Sequence, residues 1–330
     1  MPPPMNNVEL SVVIPVYNEA ANLPELLRRC RAALEGLDAA AELILVDDGS
    51  TDASPQMIAA AAQGAPGAPG REIPVIGVLL AANFGQHAAI MAGMEQARGG
   101  YVVTLDADLQ NPPEEIGRLL AELRGGADVV GTIRANRHDT IFRRLASRCV
   151  NFYTRLLCHG RTMQDYGCML RGYRRPVVEA MLRCREHGKF IPMLAMSFAN
   201  RVREIPVAHA ERAAGESKYG LGKLIALQYD LLTGTSILPM RLLTAFGSLI
   251  AAFGVIFGIY IFIRSQIDKE WGAEGVFALF AVQFVLSGGI FAALGLIGEY
   301  IGKIHINVRG RPPYAIREII CRPEKSGKQA

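Results

Sequence analysis

A chain of 330 residues has room for a sizeable buried core and an appendage beyond it. Hydrophobic residues make up 50% of it and its mean hydropathy is positive, which points to a membrane-embedded part. A net charge of +4 does not by itself argue for a nucleic-acid binder, whose domains usually concentrate far more basic charge. Cys30, Cys149, Cys158, Cys168, Cys184 and Cys321 form no C-x-x-C pair, and no histidine cluster stands at zinc-ligand spacing, so free thiols in a reducing cytosol are expected. Residues Met1–Leu10 lack a basic region followed by an apolar run. No secretory signal is expected there, and the first part of the chain is expected in the cytoplasm.

The first half alternates strand and helix signals. Leu10–Val16 is a β-branched run ending at Pro15-Val16-Tyr17-Asn18-Glu19, and a helical pattern follows with Leu23, Leu26, Leu27 and Leu34 near one face. Glu42–Val46 predicts a second strand, stopped by Asp47-Asp48-Gly49-Ser50, with Thr51 or Asp52 available to cap the next helix. Gly64–Gly70 reads as a surface loop. Ile73–Leu80 predicts a third strand, Gln86–Ala97 a third helix that His87 helps to start, and Tyr101–Leu105 a fourth strand ending at Asp106-Ala107-Asp108. Pro112-Pro113-Glu114-Glu115 opens a further helix, and Asp128–Thr132 predicts a fifth strand. Strands at this spacing predict an α/β fold, a mostly parallel sheet with helices on both faces. Polar residues gather just after the strands: Asn18 and Glu19, Asp47 and Asp48, Asn83, then Asp106 and Asp108. Ligands of open α/β sheets bind outside the carboxyl ends of the strands, so these residues are expected on one rim.

The last third changes character. Leu242–Ile263 and Val276–Ile297 are apolar runs of spanning length without Asp, Glu, Lys or Arg. The bland reading is a pair of buried helices in a soluble core. Glycines in both runs suit close helix contact in lipid. The loop between them carries the only tryptophan, Trp271, and Arg241, Lys303, Arg309 and Arg311 flank the pair, so the positive-inside rule puts both outer ends in the cytoplasm. Tyr219–Leu232 is amphipathic, with Lys218 and Lys223 near one end; an interfacial helix or an ordinary surface helix explains it. Ile141–Leu157 is similar. The expected organisation is a catalytic domain over 1–215, an interfacial amphipathic helix over 216–240, a two-span transmembrane hairpin over 241–303 and a cytoplasmic tail over 304–330.

Asp106-Ala107-Asp108 is the sharpest small motif. At i and i+2 on a strand end two carboxylates project toward one side, a costly pairing unless a cation joins them. A hard divalent cation would do so and would bridge to a diphosphate. The competing reading is a polar strand-to-helix turn. Asp47-Asp48-Gly49-Ser50 reads equally as a turn or as a holder of a ribose or base. No G-x-G-x-x-G follows the first strand and no G-x-x-x-x-G-K-[ST] occurs, against a dinucleotide fold and a P-loop.

Val13-Ile14-Pro15-Val16-Tyr17-Asn18-Glu19, Asp47-Asp48-Gly49-Ser50 and Asp106-Ala107-Asp108-Leu109-Gln110, in this order, resemble the family 2 glycosyltransferases of GT-A fold. Glu211-Arg212-Ala213-Ala214-Gly215-Glu216-Ser217-Lys218-Tyr219 resembles the acceptor-phosphate motif of the polyprenyl-phosphate glycosyltransferases. Asp165–Arg171, Tyr229–Thr233 and Gly298–Gly302 resemble the branch that loads 4-deoxy-4-formamido-L-arabinose from a UDP donor onto undecaprenyl phosphate for lipid A modification. The resemblance covers nearly the whole chain apart from the loop near Gly64.

The resemblance implies donor contacts at Pro15, Tyr17, Glu19 and Asp47, with Asn83 and Gln86 beside them. It implies Mg²⁺ or Mn²⁺ and diphosphate contacts at Asp106, Asp108 and Gln110. Arg212, Ser217 and Lys218 would hold the lipid phosphate, Arg137 is a further candidate for that task, and Asp165 stands where the family has a candidate base or acceptor-side carboxylate. It further implies an inverting enzyme at the cytoplasmic face of the inner membrane, with undecaprenyl phosphate as partner, no nucleic acid, and room for a homo-oligomer. The chemistry is consistent with such a set. A phosphate nucleophile is already anionic near neutral pH, so a strong base is not obligatory, and the harder task is stabilising the departing nucleoside diphosphate. Rival readings are a processive polysaccharide synthase, which lacks support because no Gln-x-x-Arg-Trp motif occurs; a catalytically silent nucleotide-sugar binder; and a glucosyl or mannosyl transferase to the same lipid.

Overall fold

The computed structural model describes residues 8–64, 73–134, 163, 168–184, 190–207, 238–267, 274–310 and 312–322. They form two compact units, one of residues 1–217 with 312–330 and one of residues 218–311.

The first unit is built on an eight-stranded sheet. Its strands are β1 (Leu10–Val16), β2 (Ala41–Asp47), β3 (Val75–Leu80), β4 (Tyr101–Thr104), β5 (Val129–Arg134), β6 (Arg171–Arg174), β7 (Val202–Val207) and β8 (Ile316–Cys321), in the spatial order β7-β5-β6-β4-β1-β2-β3-β8. The pairs β4–β1, β1–β2, β2–β3 and β5–β7 are parallel, whereas β6 runs antiparallel to both β4 and β5 and β8 runs antiparallel to β3. The centre is therefore the parallel sheet expected, within a mixed whole. Every residue of β2 and β3 is buried, which is why both read as continuous apolar runs: a strand covered on both faces has no solvent side to mark with polar residues.

Helices cover both faces. On one side lie α1 (Leu23–Glu35), α2 (Ser54–Gln63) and α4 (Ile116–Arg124), whose Leu23, Leu26, Leu34, Ile58, Leu119 and Leu123 join Val12, Ile14, Leu43 and Leu45 in one core cluster. On the other lie α3 (Gln86–Gln96), α5 (Arg175–Arg183) and α6 (Ile191–Phe198), which bury Ile90, Met94, Val178, Met181 and Ala195 against Val13, Ile44 and Val46. Gly93 sets how closely α3 approaches. A Cβ there would stand 2.8 Å from Val46 Cγ2 and would also strike Val13, so any larger residue pushes the helix off β1 and β2. Burial pushes the Cys30 thiol on α1 up to about 12, which keeps it protonated and inert.

Three strands lie outside the sequence expectation. β6 has the sequence RGYR, too short and polar to stand out, yet Arg171, Gly172 and Tyr173 are all buried. β7 carries Arg203, Glu204 and Pro206 and is half-exposed, as an edge strand can be. β8 comes from the stretch expected as a tail and hydrogen-bonds along β3, with its register shifting between Leu79 and Leu80. The fifth strand, expected over Asp128–Thr132, runs Val129–Arg134.

The second unit contains α7 (Leu238–Ile267) and α8 (Glu274–Val308). At about 1.5 Å per residue both exceed the roughly 30 Å of a hydrocarbon core. Within α7, Leu243–Tyr260 is an 18-residue apolar window with none of its residues buried. Its exposed Phe246, Leu249, Phe253 and Ile256 would be poorly placed in water and well placed in lipid. In α8 the apolar stretch that qualifies is shorter, Leu286–Gly302. One helix is therefore long and apolar enough to cross a membrane by this measure among the described residues, where two were expected.

At the amino ends of the strands a buried charge is fully partnered. Glu42 is wholly buried; it accepts from Ser11 Oγ at 2.6 Å, from the Arg98 backbone N–H at 2.8 Å and from the Arg98 guanidinium at 2.8 and 2.6 Å. Removing one partner of a buried pair leaves an uncompensated charge. Arg98→Met should therefore lower stability by about 3 kcal/mol, read from denaturant titration of the full chain in detergent micelles. A change within about 0.5 kcal/mol, the range usual for surface substitutions, would contradict this account.

Candidate functional site

The carboxyl ends of β1, β2 and β4 open on one edge of the sheet, and the loops there are stitched to one another by side chains. After β1 the chain turns through Asn18, whose φ of 55° is left-handed. Asparagine tolerates that conformation better than most residues because its short amide can bond locally. The Asn18 N–H donates to Ser50 Oγ at 2.9 Å, and Asn18 Oδ1 accepts from the Thr51 N–H at 2.8 Å. Glu19 N–H donates to Ser54 Oγ at 3.1 Å and Ala20 N–H to Asp52 Oδ2 at 3.0 Å, so the loop after β1 rests on the start of α2. Glu19 in turn accepts from Asn22 Nδ2 at 2.6 Å. Tyr17 is exposed at the rim and Pro15 half-buried behind it.

Asp47 and Asp48 end β2 with different tasks. Asp47 accepts the Ser50 N–H at 3.3 Å within its own turn. Asp48 reaches the neighbouring loop, where Oδ1 accepts from the Phe84 N–H at 2.7 Å and Oδ2 from the Gly85 N–H at 2.9 Å. Burial raises the Asp48 carboxyl above its usual value, opposed by those two N–H donors and reinforced by neighbouring Asp47. Gly49 allows the approach. Its φ is 69°, and a Cβ there would lie 2.6 Å from the backbone of Ala82 and Asn83. Asn83 and Phe84 are exposed beside this clamp.

Asp106 and Asp108 lie past the end of β4, which stops at Thr104. The alternation of a pleated strand therefore does not place them, contrary to the expectation from their spacing. A turn does: Leu109 takes a left-handed φ of 61°, and Asp108 Oδ1 accepts the Gln110 N–H at 3.1 Å. Asp106 is held from two sides, by Gln86 Nε2 on Oδ1 at 2.6 Å and by Asn111 Nδ2 on Oδ2 at 3.3 Å. Thus Gln86, Asp106 and Asn111 meet, as do Asn18, Ser50 and Thr51, and Asp48 with Phe84 and Gly85. The roles of Asp48, Asn18 and Asn111 were not anticipated; for Asn111 the Asn-Pro pair that follows the motif is the available signal of a fixed turn.

The donor set suits a hard divalent cation. Both oxygens of Asp106 are oriented by neutral amides, which leave its charge intact, and a carboxylate oxygen has a second acceptor direction beyond one such bond. Among the described residues no group of three or more His, Cys, Asp or Glu gathers to hold a metal, so a cation here would take further oxygens from substrate and water.

Next to Gln86, His87 has its Nδ1 buried without a hydrogen-bond partner among the described residues, and its ring stands edge-on to Phe190 at 5.4 Å between centroids. Burial pushes it down to about 4, assisted by the cationic field of Arg171. Arg171 is itself fully buried, donating to the Cys168 carbonyl at 2.7 Å and toward Met163 Sδ. Asp165, Arg137, Arg212, Ser217, Lys218 and Trp271 lie outside the described residues.

Comparison with known proteins gives a consistent picture. The family described as "Glycosyl transferase family 2" matches residues 11–182. The chain is 52% identical over 330 residues to the undecaprenyl-phosphate 4-deoxy-4-formamido-L-arabinose transferase of Klebsiella pneumoniae, covering 99% of this chain and 98% of that one. It is 50% identical to the protein of the same description from Sodalis glossinidius, over 100% of this chain and 99% of the other. A crystal structure of glucosyl-3-phosphoglycerate synthase from Mycobacterium tuberculosis, in complex with Mn²⁺, uridine-diphosphate-glucose and phosphoglyceric acid, aligns at a TM-score of 0.47 and 18% identity over 69% of this chain and 78% of that chain.

The half-buried His87, with its Nδ1 buried, makes a pH prediction. Its folded pKa, about 4, lies below its ordinary value near 6.5, so its contribution to stability is fully present above pH 6.5 and is lost as pH falls through 4. Within that window the loss approaches about 1.4 kcal/mol per pH unit. Denaturant titrations at about pH 7 and pH 4.5 should show a loss smaller by roughly 2 kcal/mol in His87→Gln than in the parent chain. Equal losses would mean that His87 is not held neutral by burial.

Proposed function

The chain belongs to glycosyl transferase family 2, as a glycosyltransferase of GT-A fold, and from that premise we propose that it transfers 4-deoxy-4-formamido-L-arabinose from a UDP donor to undecaprenyl phosphate, with inversion, at the cytoplasmic face of the inner membrane. The observation that carries this reading is the near-half identity to relatives of that description along their whole length. It is supported by a rim of polar loops at the carboxyl edge of a parallel sheet, where such folds take ligands.

In this reading the uridine and its ribose rest against Pro15, Tyr17, Glu19 and Asp47, with Asn83 and Gln86 beside them. Tyr17, exposed at the rim, offers a ring face to a base. Asp106, Asp108 and Gln110 would hold Mg²⁺ or Mn²⁺. The cation would supply charge neutralisation to the departing UDP. Arg212, Ser217, Lys218 and Arg137 serve the lipid phosphate, whose oxygen attacks the anomeric carbon as the bond to UDP breaks. That oxygen is already anionic near neutral pH, so Asp165 need act only to orient the acceptor, not as a strong base. The second unit carries the membrane role: α7 and α8 form a hairpin, both outer ends stay in the cytoplasm, and the stretch over 216–240 lies at the interface. The sugar is the finest part of the assignment, because glucosyl and mannosyl transfer to the same lipid needs the same donor-diphosphate and acceptor-phosphate contacts.

The test is purified full-length protein in detergent with undecaprenyl phosphate and a panel of donors. Lipid-linked product should form from UDP-4-deoxy-4-formamido-L-arabinose and not from UDP-glucose or GDP-mannose. Asp108→Asn should cut that turnover by orders of magnitude, as loss of a charge-neutralising site does. Product from UDP-glucose or GDP-mannose alone would reassign the sugar, and full activity of Asp108→Asn with a chelator present would remove the cation.

The acceptor assignment makes its own prediction. A charge-assisted contact to phosphate contributes about 1.5–3 kcal/mol, so Lys218→Ala should raise the lipid-phosphate KM about tenfold or more. UDP binding by calorimetry should stay near that of the parent chain. If donor affinity collapses while lipid dependence holds, Lys218 belongs to the donor site instead.

A further inference from the structure

Asn111 sits between the rim and the core. It is 3% exposed, and its two amide ends face different chemistry. Nδ2 lies 3.3 Å from Asp106 Oδ2, and Oδ1 lies 3.4 Å from the Cys168 Sγ. Cys168 is 2% exposed, and the wholly buried Thr132 of β5 places its Oγ1 2.9 Å from the same sulfur while lying 2.8 Å from the Leu170 carbonyl. The contact from Asn111 to Cys168 spans 57 positions in sequence. It connects the turn after β4 to the residues that lead into β6.

An amide side chain fits its space in two orientations of nearly equal shape, and only its hydrogen bonds choose between them. A thiol is a weak donor that can give its proton to Oδ1. With Oδ1 so engaged, Nδ2 must face Asp106. The reversed amide would set a carbonyl oxygen against a carboxylate, two acceptors in contact, and would turn Nδ2 toward the sulfur. Asp106 would then lose the Asn111 bond on Oδ2, while Gln86 stays on Oδ1.

We propose that Asn111 is a positioning residue for Asp106, and that the buried Cys168 thiol sets the orientation of its amide. The inference rests on the reading of Asp106 as a cation ligand. It assigns work to two buried side chains: the core thiol orients the amide, the amide orients the carboxylate, and the carboxylate is presented to the cation with the direction of its oxygens fixed in advance. Groups that orient a metal's ligands typically change its affinity by about 10- to 100-fold when removed. The thiol is thereby kept in a role that serine, a donor of similar shape, can fill and alanine cannot.

The test is Mn²⁺ titration of the full chain in detergent with UDP present, followed by calorimetry, alongside the melting temperature of each variant. Asn111→Ala and Cys168→Ala should each weaken Mn²⁺ binding by about tenfold or more, and Cys168→Ser should restore it to within a few-fold of the parent chain. Mn²⁺ affinity in Cys168→Ala equal to that of the parent, or a loss in Cys168→Ser as large as in Cys168→Ala, would overturn the role of the thiol. Parent-like affinity in a folded Asn111→Ala would overturn the role of the amide. Should Asn111→Ala fail to fold, the two Cys168 variants, compared at equal melting temperature, decide the matter. A parent chain that shows no Mn²⁺ binding in the presence of UDP would instead remove the cation site itself.

Discussion

The Asp48 carboxylate, taking the N–H groups of Phe84 and Gly85, is the bond on which the arrangement of the rim depends. A parallel sheet brings the ends of its strands to one edge but leaves the loops there free to splay. Asp48 joins the end of β2 to the loop after β3, and that loop delivers Gln86 to Asp106 at the end of β4. On the other side Asn18 exchanges bonds with Ser50 and Thr51, tying the loop after β1 to the turn that contains Asp48. Four loops, separated by tens of residues in sequence, thus become one surface. The clamp has a steric condition, since only a residue without a Cβ lets the Gly49 backbone lie so close to Ala82 and Asn83.

Among the described residues, aspartates recur along the loops of this surface. Asp47, Asp48, Asp106 and Asp108 stand in or next to these loops, and in the proposed reading their charge would repel an anionic diphosphate unless cations intervene. The acidic residues differ in what holds them. Asp47 and Asp48 accept backbone N–H groups of the loops, while Asp106 accepts the side-chain amides of Gln86 and Asn111. His87 beside them stays neutral because it is half-buried near the Arg171 guanidinium. In the proposed reading, a divalent cation at Asp106 and Asp108 and basic side chains toward the acceptor would offset this charge.

Much of this was legible in the residues. β1 to β5 show as apolar runs punctuated by Asp, Asn and Gly because their strands are covered on both faces, and the rim residues follow from where those runs stop. What escaped was decided by tertiary context. Arg171 reads as a surface arginine yet is wholly buried in β6. Ile316–Cys321, with Arg317 and Glu318 among its apolar residues, reads as a tail because an edge strand with a solvent face lacks the continuous run that marks a central one. The turn that carries Asp106 and Asp108 depends on a left-handed Leu109, which no spacing rule anticipates. The bonds between Asp48 and Phe84 and between Asn111 and Cys168 depend on the register of the sheet, and local sequence carries no signal of them.

The central claim is that these loops act as one donor surface. Hydrogen exchange of the full chain in detergent, with and without UDP and Mn²⁺, tests it most directly, because backbone amides report each loop separately. The account predicts that Asn18–Ala20, Asp48–Asp52, Phe84–Gln86 and Ala107–Gln110 gain protection together, while amides at the amino ends of the strands, around Glu42 and Arg98, do not change. Protection confined to one of these loops, or appearing at the amino-end edge instead, would contradict it.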